Sequence, residues 1–209
     1  MSSNDNQPVA IQPDSFALTA ENRAEADRII AKYPAGRQAS AVLPLLYIAQ
    51  RQEGWVPRAA MDHVAEILDM APIRVYEVAT FYTMFHLEPV GKHHIQVCRT
   101  TPCWLRGADQ MTETCKRKLG VGLKQTTKDG MFSLIEVECL GGCVNAPVVQ
   151  INDDFYEDLD PQKLEWLLDE LAAGRTPPHG SQTGRQGSAP DGGPTTLKDV
   201  PRPSGAPAE

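Results

Sequence analysis

The sequence predicts an α+β protein in which an N-terminal helical bundle precedes a domain built on a mixed sheet, with a disordered tail at the C-terminus. Three observations carry that expectation. Apolar residues recur at helical spacing through residues 18–85, and the spacing changes to strand-like alternation after Val90. From about residue 175, Pro, Gly, Ser and Thr displace large apolar side chains, leaving too little surface to bury against the entropy of ordering. The 209 residues therefore divide into a polar, disordered start at 1–15, a bundle at 16–89, a sheet domain at 90–174 and a Pro/Gly-rich tail at 175–209.

Four helices are expected in the bundle. Thr19 caps the first, whose apolar positions include Ala26, Ile29, Ile30 and Tyr33 before Pro34 closes it. The second begins near Ser40, tolerates Pro44 in its first turn, aligns Val42, Leu45, Leu46 and Ala49, and stops at Gly54. Pro57 suits the first position of the third, with Met61, Val64, Ile67 and Leu68 as its buried stripe. The fourth follows the break at Met70-Ala71-Pro72 and carries Ile73, Tyr76, Phe81 and Met84 as core residues.

In the second domain, residues 94–98 alternate as a strand, and residues 105–119 form a helix with Leu105, Ala108, Met111, Cys115 and Leu119 on one side. A second strand spans 132–139, with Ile135, Val137 and Cys139 on one face and Glu136 and Glu138 on the other. Residues 148–151 and 155–159 form a hairpin through Asn152-Asp153-Asp154, and Pro161 starts a helix that turns Leu164, Leu167, Leu168 and Leu171 inward. Strand, helix, strand, strand, helix is the order of a thioredoxin-like mixed sheet covered by helices.

A net charge of −7 argues against nucleic acid, which demands clustered Lys and Arg. No apolar run approaches the roughly 20 residues that span a bilayer, so no direct membrane insertion is expected. The start lacks the features of a secretory or organellar leader, so the chain is expected to remain in the cytoplasm. Five cysteines in such a compartment point to metal or redox chemistry rather than to disulfides.

Those cysteines fall as two pairs and a single. Cys98-Arg-Thr-Thr-Pro-Cys103 ends one strand and Cys139-Leu-Gly-Gly-Cys143 ends another, and neighbouring strand ends would bring four thiols together. Thiolates suit both zinc and iron-sulfur clusters, and these spacings are compatible with either. Gly141 and Gly142 leave amides free to approach a cluster, and Pro102 and Pro147 stiffen both loops. On the residues alone, a [2Fe-2S] cluster, a structural zinc ion and a thiol-disulfide role all stay open. The last is weakened by the absence of Cys-x-x-Cys. No Cys-x-His or Cys-x-x-His pair of a Rieske centre is present, so His93 and His94 read as a solvated strand start. Cys115, on an apolar helix side, reads as a buried core residue outside the metal site. Trp55 and Trp104 also read as core.

The runs Val97-Cys-Arg-Thr-Thr-Pro-Cys-Trp-Leu-Arg-Gly107 and Ile135-Glu-Val-Glu-Cys-Leu-Gly-Gly-Cys-Val-Asn-Ala-Pro-Val-Val-Gln-Ile-Asn152 closely resemble the 24 kDa, NuoE-type subunit family of NADH:quinone oxidoreductase, respiratory complex I. Glu53-Gly-Trp-Val-Pro57 and Val75-Tyr-Glu-Val-Ala-Thr-Phe-Tyr-Thr-Met-Phe85 extend the likeness into the bundle, so it covers roughly residues 16 to 173. The resemblance implies a helical bundle followed by a thioredoxin-like ferredoxin domain whose Cys98, Cys103, Cys139 and Cys143 bind one [2Fe-2S] cluster. It also implies docking, through the bundle, onto the flavin-bearing 51 kDa-type subunit where FMN and NADH bind, among the other peripheral-arm complex I subunits at the cytoplasmic face of the bacterial inner membrane. The alternative within electron transfer is the related [2Fe-2S] subunit of an NAD-linked hydrogenase or formate dehydrogenase, for which the resemblance implies the same domain plan. Gly120-Val-Gly122 is a lone Gly-x-Gly, so NADH is not expected on this chain. Electron transfer needs no acid, base or nucleophile here, and no independent catalytic site is expected.

Overall fold

The computed structural model describes residues 11–193, 195, 196 and 198. The expected disorder of the first ten residues and of the end of the tail lies outside them. The chain forms two compact units that divide between Val90 and Gly91.

The first unit holds α1 (Ala20–Ile30), α2 (Val42–Glu53), α3 (Arg58–Leu68) and α4 (Pro72–Phe81). Thr19 caps α1 by accepting the Asn22 amide at 3.2 Å. Leu45, Leu46 and Ile48 of α2, Val64 and Ala65 of α3, and Val75 and Ala79 of α4 make the core, together with Val56 and Phe85. Each large aliphatic side chain removed from water contributes about 1.5–3 kcal/mol. Gln50 secures the exit from α4, donating to the Met84 carbonyl at 3.0 Å and accepting the His86 amide at 2.7 Å.

One stripe departs from expectation. α4 ends at Phe81, and Ile73 and Phe81 are 60% and 77% exposed. The helix is short and opens at Pro72, so its buried line runs through the smaller Val75 and Ala79. Tyr76 and Met84 pack only at the margin.

The second unit contains β1 (His93–Cys98), α5 (Thr101–Leu105), α6 (Ala108–Leu119), β2 (Gln125–Thr126), β3 (Phe132–Val137), β4 (Val149–Ile151), β5 (Asp154–Glu157), α7 (Pro161–Ala172) and β6 (Gly180–Ser181). These strands form one mixed sheet in the order β2-β3-β1-β4-β5-β6. β1 and β3 are parallel, with Cys98 beside Val137, whereas β4 runs antiparallel to β1. The β4–β5 hairpin turns at Asn152, whose φ is 54°.

Both long helices share one core with the sheet. Met111 and Cys115 of α6 and Leu164, Leu167, Leu168 and Leu171 of α7 pack with Ile95, Val97, Phe132, Leu134, Val149, Ile151 and Tyr156. Asp160 caps α7 by accepting the Lys163 amide at 2.7 Å.

The two faces expected along β3 hold for its residues Ile135, Glu136 and Val137, and the helices cover the face that carries Glu136. Phe132 and Leu134 enter the helix-covered core, and Glu136 lies on their side, accepting the Thr112 hydroxyl of α6 at 3.0 Å. Ile135 and Val137 face the opposite way and are only half-buried. Glu138 and Cys139 lie beyond the strand. His94 is buried rather than solvated: its Nδ1 is 2.7 Å from the Ser133 hydroxyl oxygen, which also accepts the Gly91 amide at 3.2 Å.

Candidate metal centre

Parallel pairing of β1 and β3 brings their C-terminal ends to one edge of the sheet, and the two cysteine loops begin there. Cys98 is the last residue of β1, held by its amide to the Val148 carbonyl at 3.2 Å. Arg99 continues the register by donating to Val137 at 3.1 Å. The chain then turns into α5, which carries Cys103 and which the sequence pattern does not separate from the following helix. Gly107, at φ 99°, breaks the helical run in two. A residue with a Cβ is strained in that conformation. Because of this break Trp104 and Leu105 fall outside the core, 55% and 70% exposed, while Cys103 is buried. Trp55, in contrast, is buried as expected.

The second loop leaves β3 after Val137. Cys139, Leu140, Gly141 and Gly142 lead into a 3-10 turn at Cys143–Asn145. Gly141 sits at φ 89°, and the tight reversal leaves Cys139 Sγ 3.4 Å from Cys143 Sγ. The Ala146-Pro147 peptide that follows is cis.

The four thiols thus stand as two pairs, one buried and one toward solvent. Cys98 and Cys103 are each 1% exposed, whereas Cys139 is exposed and Cys143 half-exposed. Among the described residues, no three His, Cys, Asp or Glu side chains converge as a group that could hold a single metal ion. Cys115, fully buried on α6, belongs to the helix–sheet core.

Hydrogen bonds and charge separate the members of each pair. Burial opposes the Cys98 thiolate, but the Thr100 hydroxyl at 3.4 Å, the Leu140 and Thr100 amides and Cys103 outweigh it, and its pKa falls below the ordinary thiol value. Burial and the neighbouring Cys98 push Cys103 up to about 12, against the favourable Val148 amide. Cys139 is lowered by the Gly141 amide, by Cys143 and by the Thr100 hydroxyl. Cys143 is raised, by Cys139 first and by burial second. In each pair one sulfur is readied as a thiolate and its neighbour resists a second negative charge, which is the electrostatic condition a cation relieves. Backbone amides aimed at the sulfurs suit a thiolate-bound iron-sulfur cluster, whose potential such hydrogen bonds set.

Two parts of this site escape sequence reasoning. Thr100 serves Cys98 and Cys139, one from each loop, although it lies without distinction inside the first cysteine run. Residues 180–191, assigned to the tail, return to the 3-10 turn. β6 pairs parallel to β5, and Arg185 forms an ion pair with Asp158. No local pattern announces either feature, because both depend on partners distant in the chain.

A sequence model of the thioredoxin-like [2Fe-2S] ferredoxins matches residues 26–172. The chain is 60% identical over 158 residues to the E subunit of the NADH-quinone oxidoreductase of Rickettsia bellii (strain RML369-C), a match covering 75% of this chain and 95% of that one. It is 57% identical over 157 residues to the same-named protein of Rickettsia prowazekii (strain Madrid E), covering 75% of this chain and 89% of that one. Among solved structures, the NAD+-reducing [NiFe]-hydrogenase in its H2-reduced state is similar in fold, with a TM-score of 0.56 and 18% identity over 63% of this chain and 23% of that chain. The matched region contains both cysteine loops and the parallel strands β1 and β3 from which they leave, so the chain belongs to the thioredoxin-like [2Fe-2S] ferredoxin family, in the branch of the NuoE-type subunits of NADH-quinone oxidoreductase.

Proposed function

We propose that this chain is the electron-transfer subunit of a respiratory NADH:quinone oxidoreductase and that Cys98, Cys103, Cys139 and Cys143 hold its [2Fe-2S] cluster. The observation that carries the ligand assignment is the meeting of two thiol pairs at the adjacent ends of parallel β1 and β3. Two thiolates for each of two irons match the four-cysteine ligation of such clusters. A bound [2Fe-2S] cluster supplies a one-electron acceptor at this edge.

The chain's own residues hold and insulate that centre. Cys98 and Cys103 anchor its buried side beside Ala108, Ala146 and Val148, which keep water from the inner sulfurs. Cys139 and Cys143 present the outer side on a loop whose backbone is free to approach. The Leu140, Thr100, Val148, Gly141 and Cys143 amides and the Thr100 hydroxyl distribute donors over all four sulfurs. None of these groups acts as an acid, base or nucleophile, so the oxidation of NADH is assigned to a partner that binds FMN and NADH. The subunit works within the peripheral arm, at the cytoplasmic face of the bacterial inner membrane. Among the described residues no helix is long and apolar enough to cross a membrane.

Iron and acid-labile sulfide analysis with EPR, on the protein co-purified with its partners, tests this reading. Two irons and two sulfides per chain, with a spin-half signal on reduction, are expected. Serine at any of the four positions disturbs the centre, whereas Cys115→Ser retains both irons. A colourless chain containing zinc, or loss of iron from the Cys115 variant, overturns the assignment.

A further inference from the structure

Beyond α7 the chain comes back to the second cysteine loop. β6 adds to β5, and the Gln182 amide donates to the Glu157 carbonyl at 2.9 Å. Arg185 then pairs with the Asp158 carboxylate, with the two side chains only 12% and 6% exposed. Its guanidinium donates at the same time to the Val144 carbonyl at 2.9 Å and to the Ala189 carbonyl at 2.5 Å. Asp158 also accepts the Ser181 hydroxyl at 2.6 Å and the Asn145 side-chain amide at 3.0 Å. Asn145, 2% exposed, accepts the Ser188 amide at 2.8 Å on its side-chain oxygen and the Asp158 amide at 2.8 Å on its carbonyl. These bonds converge on the turn Cys143–Asn145, and none reaches a sulfur.

We propose that Arg185 is a positioning residue for the centre: with Asp158 and Asn145 it forms a clasp by which residues 180–191 fix the Cys143–Asn145 turn, and through it the Cys143 thiolate. The proposal rests on Cys143 being a ligand. The pair is nearly buried, so it is not the weak, solvent-screened kind found on surfaces. Its partners are extensively hydrogen-bonded, and such a pair sets geometry more than it adds net stability. A planar guanidinium bridges a carboxylate and a carbonyl at once, which an ammonium does not reproduce.

The same geometry gives the clasp an electrical consequence. Arg185 and Asp158 balance each other beside the turn, bonded to Val144 and Asn145, one and two residues along the chain from Cys143. Removing the guanidinium leaves a carboxylate that opposes the more negative, reduced centre, whereas removing the carboxylate charge leaves a cation that favours it. The two changes therefore shift the midpoint potential in opposite directions.

The test uses the full chain carrying its reconstituted centre and compares Arg185→Gln, Arg185→Lys, Asp158→Asn and Cys143→Ser. In R185Q, iron is expected to pass to a chelator about tenfold or more faster, within the ~10–100-fold range of supporting-residue losses, and the potential falls. R185K restores part of the retention, and D158N raises the potential. If C143S loses the native centre while R185Q keeps wild-type retention and potential, the clasp is wrong and the ligand assignment stands. Potentials that move the same way in R185Q and D158N reduce the contact to simple scaffolding and also overturn the proposal. Full native iron content in C143S overturns the ligand assignment and the clasp together.

Discussion

Cys139 Sγ lies 3.4 Å from Cys143 Sγ, and the turn that brings them together passes through two glycines with different duties. Gly141 supplies conformation: at φ 89° it has open space where a Cβ would project. Gly142 supplies room. A Cβ there would stand 3.1 Å from both Glu157 Oε1 and Val148 Cγ2, and Val148 is fully buried.

Alanine at the two positions should consequently fail in different ways. Gly141→Ala strains the backbone by about 1–2 kcal/mol and leaves the packing intact. Gly142→Ala presses on a buried side chain that has little room to yield, with a cost of about 1–3 kcal/mol and displacement of Cys143. Urea midpoints should fall in both. Chelator-driven iron loss should accelerate more in G142A, and equal rates would show that room at Gly142 is unimportant.

Cys115 offers a pH test of the distinction between core and site. Burial pushes its thiol up to about 12 from 9.0. A thiol whose folded pKa is raised contributes its stability in full below the unfolded value and loses it as pH rises through the folded one. The metal-free chain should therefore lose stability between about pH 9 and 12, and part of that loss should vanish in Cys115→Ala. At pH 8, the folded metal-free chain should leave Cys115 unalkylated by iodoacetamide while Cys139 reacts. Denaturant should abolish the difference.

The four cysteines, the mixed sheet and most helix stripes are legible because each rests on local spacing. Thr19 caps α1, Pro161 starts α7, and Leu164, Leu167, Leu168 and Leu171 are buried on α7. What is not legible depends on tertiary context. Periodicity across residues 105–119 hides the break at Gly107, so Trp104 and Leu105 read as core although they are exposed. Alternation along β3 defines two faces without saying which one the helices cover, and Glu136 lies on the covered one because Thr112 of α6 receives it there. Arg185 sits in a Pro/Gly-rich stretch, and only the fold of Asp158 and Asn145 gives it partners.

The unexpected stripe of α4 yields a paired stability measurement. Val75 is fully buried and Phe81 is 77% exposed. Val75→Ala should cost about 2 kcal/mol through lost methyl burial and the resulting cavity, whereas Phe81→Ser should change folding free energy by less than about 0.5 kcal/mol, as surface changes generally do. Periodicity alone ranks Phe81 as the costlier loss. A urea midpoint that falls further in F81S than in V75A would restore that ranking.

Thr100 links the two cysteine loops through one hydroxyl, and Thr100→Val removes that hydroxyl while keeping the branched shape. Burial opposes the Cys98 thiolate, the Thr100 hydroxyl is the largest influence favouring it, and the same hydroxyl helps lower Cys139. Without it both pKa values rise, so less of each thiol is ionised at a given pH and alkylation slows. In the metal-free chain, the pH profile for alkylation of the exposed Cys139 should move to higher pH in T100V, with the buried Cys115 unchanged as an internal control. With the centre in place, one sulfur-directed hydrogen bond fewer should lower its midpoint potential, because such bonds stabilise the more negative, reduced state. A valine variant with an unmoved alkylation profile and an unmoved potential would show that the hydroxyl serves neither loop.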